Sequence, residues 1–507
     1  MSHVLALPKI TIAFNGVPLP SEETRFLVEV RVQQKLSLPS QCELRFAGLQ
    51  APIASLEPIP AGAECRVTVS GHQVPLFIGE ITVVEYNYSI SNDLEIYLRA
   101  YDRLHRLRKN QQVRAFVQVT ALDLAKEMVA PLGLNVKATE PGPLQHQLIQ
   151  YHQSDFDILS EITESCGLYF TLGEDTLHLL TLVGLGEPMP LVRGDNLFAV
   201  KVEVNGEATC RKVSTSGWNL SQLEVHEGYA NAAQIGRRTR AEISPAKLGS
   251  SGEWVQVDEA IQNEQQAQAA AQAELNVQVA REVTLSGTAE GDPRLRPGTP
   301  ILLENVVAAV AGQHVLTAVT HTINTQQGFI SQISTMPPPP RARQWGSMIT
   351  LAIVSRVDDP EKRGRVRVSL PVYNQIETDW LNVVMPAAGT NKGLIALPDV
   401  GDSVLLLFSH NKPERGVVLG GLSGVKRGHD SGIEGGAAEQ CYSFVTPKGQ
   451  RIQLDDSRNC VRIENQQGSY VELSNKKVRI HSEADLQIEA PGQKVVIRGK
   501  AIDFESA

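Results

Sequence analysis

The sequence predicts a mainly β protein with minor α content, laid out as a series of domains, and three observations predict it. Short alternations of apolar and polar residues recur from Lys9 to Tyr101 and again beyond Gly194. Period two marks half-buried strands, and many short strands with regular turn signals mark sandwiches or barrels. A run of four prolines, "MPPPPRARQWGS" from Met336 to Ser347, divides the chain. The stretch "VELSNKKVRIHSEADLQIEAPGQKVVIRGKAIDF", Val471 to Phe504, consists of apolar pairs punctuated by polar turns. At 507 residues the chain is too long for one hydrophobic core.

Charge narrows the function. A net charge of −9 and a sequence pI of about 5.8 argue against a general nucleic-acid binder, which needs a basic face for phosphates. Protein partners are expected. "MSHVLALPKITIAFNG" lacks a basic n-region before an apolar stretch, and no run approaches the length of a membrane span. Synthesis in the cytoplasm without a signal peptide is therefore expected. Cys42, Cys65, Cys166, Cys210, Cys441 and Cys460 form no CxxC pair, and His146 and His152 sit in a glutamine-rich stretch read as a loop. No metal site and no cofactor are expected.

Residues 1–110 read as a first β domain, from "FLVEVRVQQKLSL", "CRVTVSGHQVPLFIGEITVVEYNYS" and "LEIYLRAYD". Residues 111–200 are mixed. "TALDLAKEMVAPLGL" has helical spacing, and Ser154 with Asp157 is placed to cap a second helix whose Phe156, Leu159 and Ile162 share a face. Gly167 should stop that helix. Residues 201–335 form a second β domain with a long Gln/Ala-rich helix expected from about Asp258 to Ala280, followed by the turn "GDPRLRPGTP". The proline-rich linker, 336–347, is a stiff spacer.

A small barrel is expected over 348–425. In "GRVRVSLPV", Val366, Val368, Leu370 and Val372 face one way, Arg365 and Arg367 the other. "LNVVMPAAG", "GLIALP", "DSVLLLFSH" and "GVVLGGL" supply four more short strands. Residues 426–440 are a Gly-rich linker.

The last segment, 441–507, is a loose repeat. Leu454, Ile463, Leu473, Ile480, Ile488, Ile497 and Phe504 follow one another at steps of 9, 10, 7, 8, 9 and 7. Each step holds one short strand and a turn, so each repeat buries one side only and needs neighbours. Single-chain solenoids use about 20 or more residues per coil, so these steps favour three intertwined copies with the apolar residues on a common axis. Seven layers at about 4.8 Å would make a spike roughly 35 Å long. An ordinary two-sheet β domain also fits the spacing.

"DDPEKRGRVRVSLP", "WLNVVMPAAG", "GLIALPDVGDSVLLLF" and "PERGVVLGGL", in that order, resemble the OB-fold barrel of VgrG-like central spike proteins of contractile injection systems, relatives of contractile-phage baseplate hubs and spikes. "SDFDILSEITESCGLYF" and "GDPRLRPGTPI" are similar to the hub portion. The resemblance implies a hub of two β-barrel-like domains, an OB fold with the signature Gly364, Val366, Val368, Trp380, Gly389, Pro398, Gly401, Asp402 and Gly420, and a C-terminal triple-stranded intertwined β-helix in a homotrimer. It further implies a structural role: a threefold spike seated on a hexameric inner tube, with baseplate partners, that meets the target membrane when the sheath contracts.

Residues 423–440 leave no room for the lysozyme domain that some phage spikes carry there. The short tail resembles the spike of an extracellular, phage-tail-like particle. A PAAR-type tip protein is expected to dock at Glu505, Ser506 and Ala507. A phage baseplate spike proper remains an alternative, as does an OB-fold ligand- or polysaccharide-binding module with a β-solenoid tail.

No catalytic residue is expected. "GLSGV" around Ser423 is not GxSxG, and Asp358, Asp359 and Glu361 read as a turn opening the barrel. Arg363, Arg365 and Arg367 could form a basic strip, but the barrel offers only Tyr373, Trp380 and Phe408 to interleave with it. A solvated strand face is the simpler reading, and no nucleic-acid partner is expected.

Overall fold

The computed structural model describes residues 8–49, 61–90, 94–207, 209–220, 222–259, 261–341, 347–389, 392–410, 412–422 and 441–505. The chain divides into two units, Met1–Gly421 and Leu422–Ala507.

In the first unit an eleven-stranded antiparallel sheet runs through both expected β domains. Seven strands lie before residue 102 and four between 197 and 334. They meet where Ala318–Asn324 pairs with Leu27–Lys35, from Ala318 opposite Lys35 to Asn324 opposite Glu29. The expected two β domains are thus joined by a continuous ladder, because each would otherwise leave a long strand edge unpaired. Each half keeps its own core. Val30, Leu44, Phe46, Val67 and Ile96 belong to the first, and Leu197, Leu285, Ile301, Leu316 and Ile333 to the second.

The mixed segment supplies two helices. Thr120 caps Ala121–Val129 in a capping box with Asp123, and Ser154 caps Asp155–Ser165 in another with Asp157. Each box satisfies first-turn N–H groups that have no partner inside the helix. Phe156, Leu159 and Ile162 face the segment's core. Gly167 follows at φ +73°, where a Cβ would lie 3.0 Å from the Ala273 Cβ, so both the backbone and the neighbouring helix call for glycine.

The long helix runs over Glu264–Glu282, a few residues later than expected. Asn263 caps it by accepting from Gln266 N, and the preceding Glu253–Glu259 is a strand parallel to Lys212–Asn219. The glutamine-rich stretch read as a loop is also a strand, Gln145–Gln150, paired with Arg114–Val119. Its amides bond to other segments, which periodicity in apolar residues does not reveal.

The barrel sheet has five strands in the order Ile376–Glu377, Arg367–Leu370, Ser347–Arg356, Ser403–Ser409, Gly416–Gly421. Val366 and Leu381 pair across an isolated bridge, as do Val383 and Val418, which closes the sheet toward a barrel. Three expectations differ. "LNVVMPAAG" forms only isolated bridges and no strand. "GLIALP" is not a strand, and Leu394, Ile395 and Leu397 lie exposed; Pro398 just beyond them has no N–H to give to a ladder. Val372 is exposed because Pro371–Tyr373 turns as a 3₁₀ helix and brings Tyr373 inward instead.

The second unit is a five-stranded antiparallel meander: Cys441–Val445, Arg451–Asp455, Cys460–Glu464, Tyr470–Ser474 and Val478–His481. From 482 to 505 no strand forms among the described residues.

Candidate functional site

Three features stand out: the turn that opens the barrel, the junction between the barrel and the mixed segment, and the face of the tail sheet.

Asp359 organises the opening turn. Its carboxylate accepts from the backbone N–H of Glu361 at 3.1 Å, Arg363 at 2.8 Å and Arg365 at 3.4 Å. It also accepts from Arg365 Nε at 3.1 Å and Nη2 at 2.8 Å. The Arg365 guanidinium therefore holds the Asp359 carboxyl well below its ordinary range. Arg365 also reaches Glu361 at 3.1 Å. Arg365 is buried, so it does not belong to a solvated strip. Arg367 pairs with Asp379 at 3.1 Å and, with Arg356, lies over the Trp380 ring.

The signature residues hold backbone positions. Gly364 sits at φ +74° and Gly401 at φ +89°. Gly401 N donates to Val354 O at 2.8 Å, and Val354 N donates to Asp402 O at 2.9 Å, which fastens the 399–402 turn to the first barrel strand. Val366 and Val368 are fully buried and Trp380 nearly so. Gly389 bridges Lys392, and Gly420 opposes Leu405 beside a bulge. Pro398 is half-buried.

The junction is built from residues that alternation did not single out. Gln147 Nε2 donates to Glu377 O at 2.9 Å, and Asp379 N donates to Gln147 Oε1 at 2.8 Å, so one buried amide imitates a strand partner for the barrel. Ile149 enters the barrel core. Tyr151 stacks edge-on to Tyr373 with centroids 5.5 Å apart. Lys412 pairs with Glu161 at 2.9 Å, and Arg341 donates its backbone N–H to Glu164 at 2.8 Å. Burial works against the Glu161 charge, but the Lys412 ammonium prevails and holds that carboxyl below its usual range.

Gln147→Leu should remove both backbone contacts at a cost of about 2 kcal/mol, since each net hydrogen bond contributes about 1 kcal/mol. The check is amide exchange, which should quicken roughly 30-fold at Asp379. Unchanged exchange there would count against the clamp.

In "GDPRLRPGTPI", Arg296 Nη2 donates to Pro75 O at 2.6 Å, tying the turn to the first β domain. His321 is buried between Ser331 Oγ at 2.9 Å and Leu295 O at 3.1 Å. Burial, with Arg296 nearby, pushes its pKa down to about 4. Among the described residues no group of three or more His, Cys, Asp or Glu is placed to hold a metal.

In the tail sheet the cross-strand register gathers ten apolar residues in two rows on one face. Tyr442, Leu454, Val461, Leu473 and Val478 make one row, and Phe444, Ile452, Ile463, Val471 and Ile480 the other. The opposite face carries Arg462 between Glu464 and Glu472. No described residue from 441 to 505 is buried, Ile488, Ile497, Phe504 and Glu505 included. Ser506 and Ala507 lie outside the described residues, as do Ser423 and the linker 426–440.

Residues 53–325 match the model of the Alg8 N-terminal domain, more than half of the chain. The chain belongs to that family. Residues 350–422 match the type VI secretion system/phage-baseplate injector OB domain. The chain is thus similar to VgrG, phage-tail and baseplate proteins. The actin cross-linking toxin VgrG1 of Vibrio cholerae is 21% identical over 360 residues, which cover 62% of this chain and 32% of the toxin. The chain thus spans about a third of that relative. Among solved structures, the E. coli c3393 protein is described as a type VI secretion component similar to T4 bacteriophage gp27 and gp5. It superposes with a TM-score of 0.53 at 13% identity, covering 81% of this chain and 99% of that one. A Francisella PdpA–VgrG complex superposes with a TM-score of 0.56 at 9% identity, covering 95% and 89%. At these identities the likeness is one of fold.

Proposed function

We propose that this VgrG-like protein is the structural, homotrimeric central spike of a contractile injection particle. Its hub adapts threefold symmetry to a hexameric inner tube, and its tail is one-third of an intertwined β-helix that meets the target envelope when the sheath contracts. The observation that carries this reading is the tail sheet. It has one wholly apolar face and no buried residue, and a two-faced sheet in water needs a cover for its apolar side.

Two further copies supply such a cover, with Leu454, Ile463, Leu473, Ile480, Ile488, Ile497 and Phe504 turned to the axis. The 482–505 segments, which form no strand in their own chain among the described residues, would find strand partners in the neighbouring copies. Inner-tube and baseplate proteins bind the hub, and a PAAR-type tip protein sits on Glu505, Ser506 and Ala507. No bond is made or broken by the chain. Assembly follows cytoplasmic synthesis, and the particle acts outside the cell that makes it.

Light scattering of the full chain tests the reading. A mass three times 55.3 kDa is expected. A stable monomer at micromolar concentration would overturn it.

A further inference from the structure

The turn Pro413–Arg415, between the barrel strands Ser403–Ser409 and Gly416–Gly421, carries an acid that the junction contacts above leave unused. Glu414 is 8% exposed, and its Oε2 has no hydrogen-bond partner. A buried carboxylate oxygen without a donor is costly, because nothing replaces the water it has lost. Pro413 beside it is buried as well, and the turn packs against the strand Gln145–Gln150 of the mixed segment.

Glu414 shares its surroundings with a second acid. Glu161, on the helix Asp155–Ser165, takes the Lys412 ammonium at 2.9 Å and the Gln153 amide at 2.6 Å. Lys412, two residues before Glu414, is thus engaged by the other carboxylate. The groups that bear on Glu414 are Lys412 and Arg415 from its own turn, Glu161 from the helix, and Tyr151 from the end of the strand, with Tyr373 beside Tyr151. The strand Ser403–Ser409, packed on the same turn, carries no titratable side chain, and His410 follows it. Burial raises the Glu414 carboxyl above its ordinary range against the pull of Lys412 and Arg415, and Glu161 adds to the rise. Two neighbouring acids are therefore displaced in opposite directions around one ammonium.

We propose that this junction is proton-sensitive: as pH falls from 8 toward 5, Glu414 takes up a proton and the barrel seats more firmly on the mixed segment. The proton removes a charge that burial and Glu161 both oppose, and it leaves the Lys412–Glu161 pair in place. The direction follows from linkage. Above the ordinary glutamate value of about 4.3 the closed junction binds more protons than the open one, so its stability falls as pH rises through the native Glu414 value. Glu161 is displaced downward, and its contribution fades only below about pH 4.3, outside this window. A joint of this kind makes the hold of the mixed segment on the barrel follow the acidity of the surroundings.

The test is amide exchange of the full chain between pH 5 and pH 8, read by mass spectrometry and corrected for the intrinsic pH dependence of exchange. In the parent, peptides covering Gln145–Gln150 and Ile376–Leu381 should exchange more slowly at pH 5 than at pH 8, by about threefold or more, while the distant strand Leu197–Val204 should not change. Glu414→Gln keeps the shape and cannot take up the proton. Its junction should exchange more slowly than the parent's at pH 8 and match it near pH 5. His410 is present in both proteins, so the difference between them isolates Glu414. Glu414→Leu, equally unable to ionise, should give the same flat profile. A parent junction that does not change from pH 8 to pH 5 refutes the proposal, and so does a Glu414→Gln profile as steep as the parent's.

Discussion

Ile480→Asp in the full chain is expected to abolish the trimer at pH 7 and leave a folded hub and barrel of single-chain mass. Ile480 pairs with Val471 on the apolar face of the tail sheet and is 61% exposed in the single chain. Covering an Ile side chain contributes about 1.5–3 kcal/mol, so three copies lose roughly 5–9 kcal/mol of association energy. The substitution also brings three carboxylates into a dry contact, where neither desolvation nor mutual repulsion tolerates the charge. Both effects raise the pKa of the introduced groups, so their penalty eases as pH falls, and partial recovery of the trimer near pH 4 is expected.

Ser443→Asp, on the opposite and polar face, is the control. Ser443 pairs with Gln453 across the ladder, and its substitution should leave the mass unchanged. Should Ile480→Asp remain fully trimeric and as heat-resistant as the parent, the apolar face does not point to a shared axis.

How much of this was legible depended on the range of the interaction. The Ser154–Asp157 capping box and the stop at Gly167 are local, and both stand where the sequence placed them. Val366, Val368 and Leu370 alternate as a strand must, and all are buried. The alternation misleads at Val372 because Pro371 starts a helical turn, and at Arg365 because the residue precedes its strand and is claimed by Asp359.

Two features were invisible for a common reason. The ladder joining Leu27–Lys35 to Ala318–Asn324 and the Gln147 clamp on Glu377 and Asp379 each connect positions more than two hundred residues apart. Neither leaves a periodic mark in either segment. The tail was legible in composition and less so in topology: repeat spacing identified the apolar residues, while the antiparallel register that gathers them on one face came only from the cross-strand pairing.

The second large effect is expected at the turn that opens the barrel. Arg365→Ala leaves Asp359, a buried carboxylate, facing only backbone N–H groups, and orphaning one member of a buried pair costs on the order of 3 kcal/mol. Because the native Asp359 carboxyl lies below its ordinary range, the pair's contribution is fully present above the unfolded-state pKa of about 3.9. It fades as pH drops through the native value. The gap between parent and Arg365→Ala should therefore be flat from pH 8 to pH 5 and narrow below about pH 4.

Urea titration followed by amide exchange at Val366 and Val368 reads the gap within the barrel itself. Replacing both partners, Asp359→Asn with Arg365→Met, should recover much of the loss, since a buried ion pair exchanged for uncharged groups is often close to neutral. An asparagine oxygen placed where Asp359 Oδ2 lies can still accept from the N–H groups of Arg363 and Arg365, which hold the turn in shape. If the double variant is as unstable as Arg365→Ala, the arginine acts through its packing and the charge pair is incidental. If it recovers, the signature "DDPEKRGRVRV" is at root a backbone turn wound on one carboxylate, with Arg365 present to neutralise it.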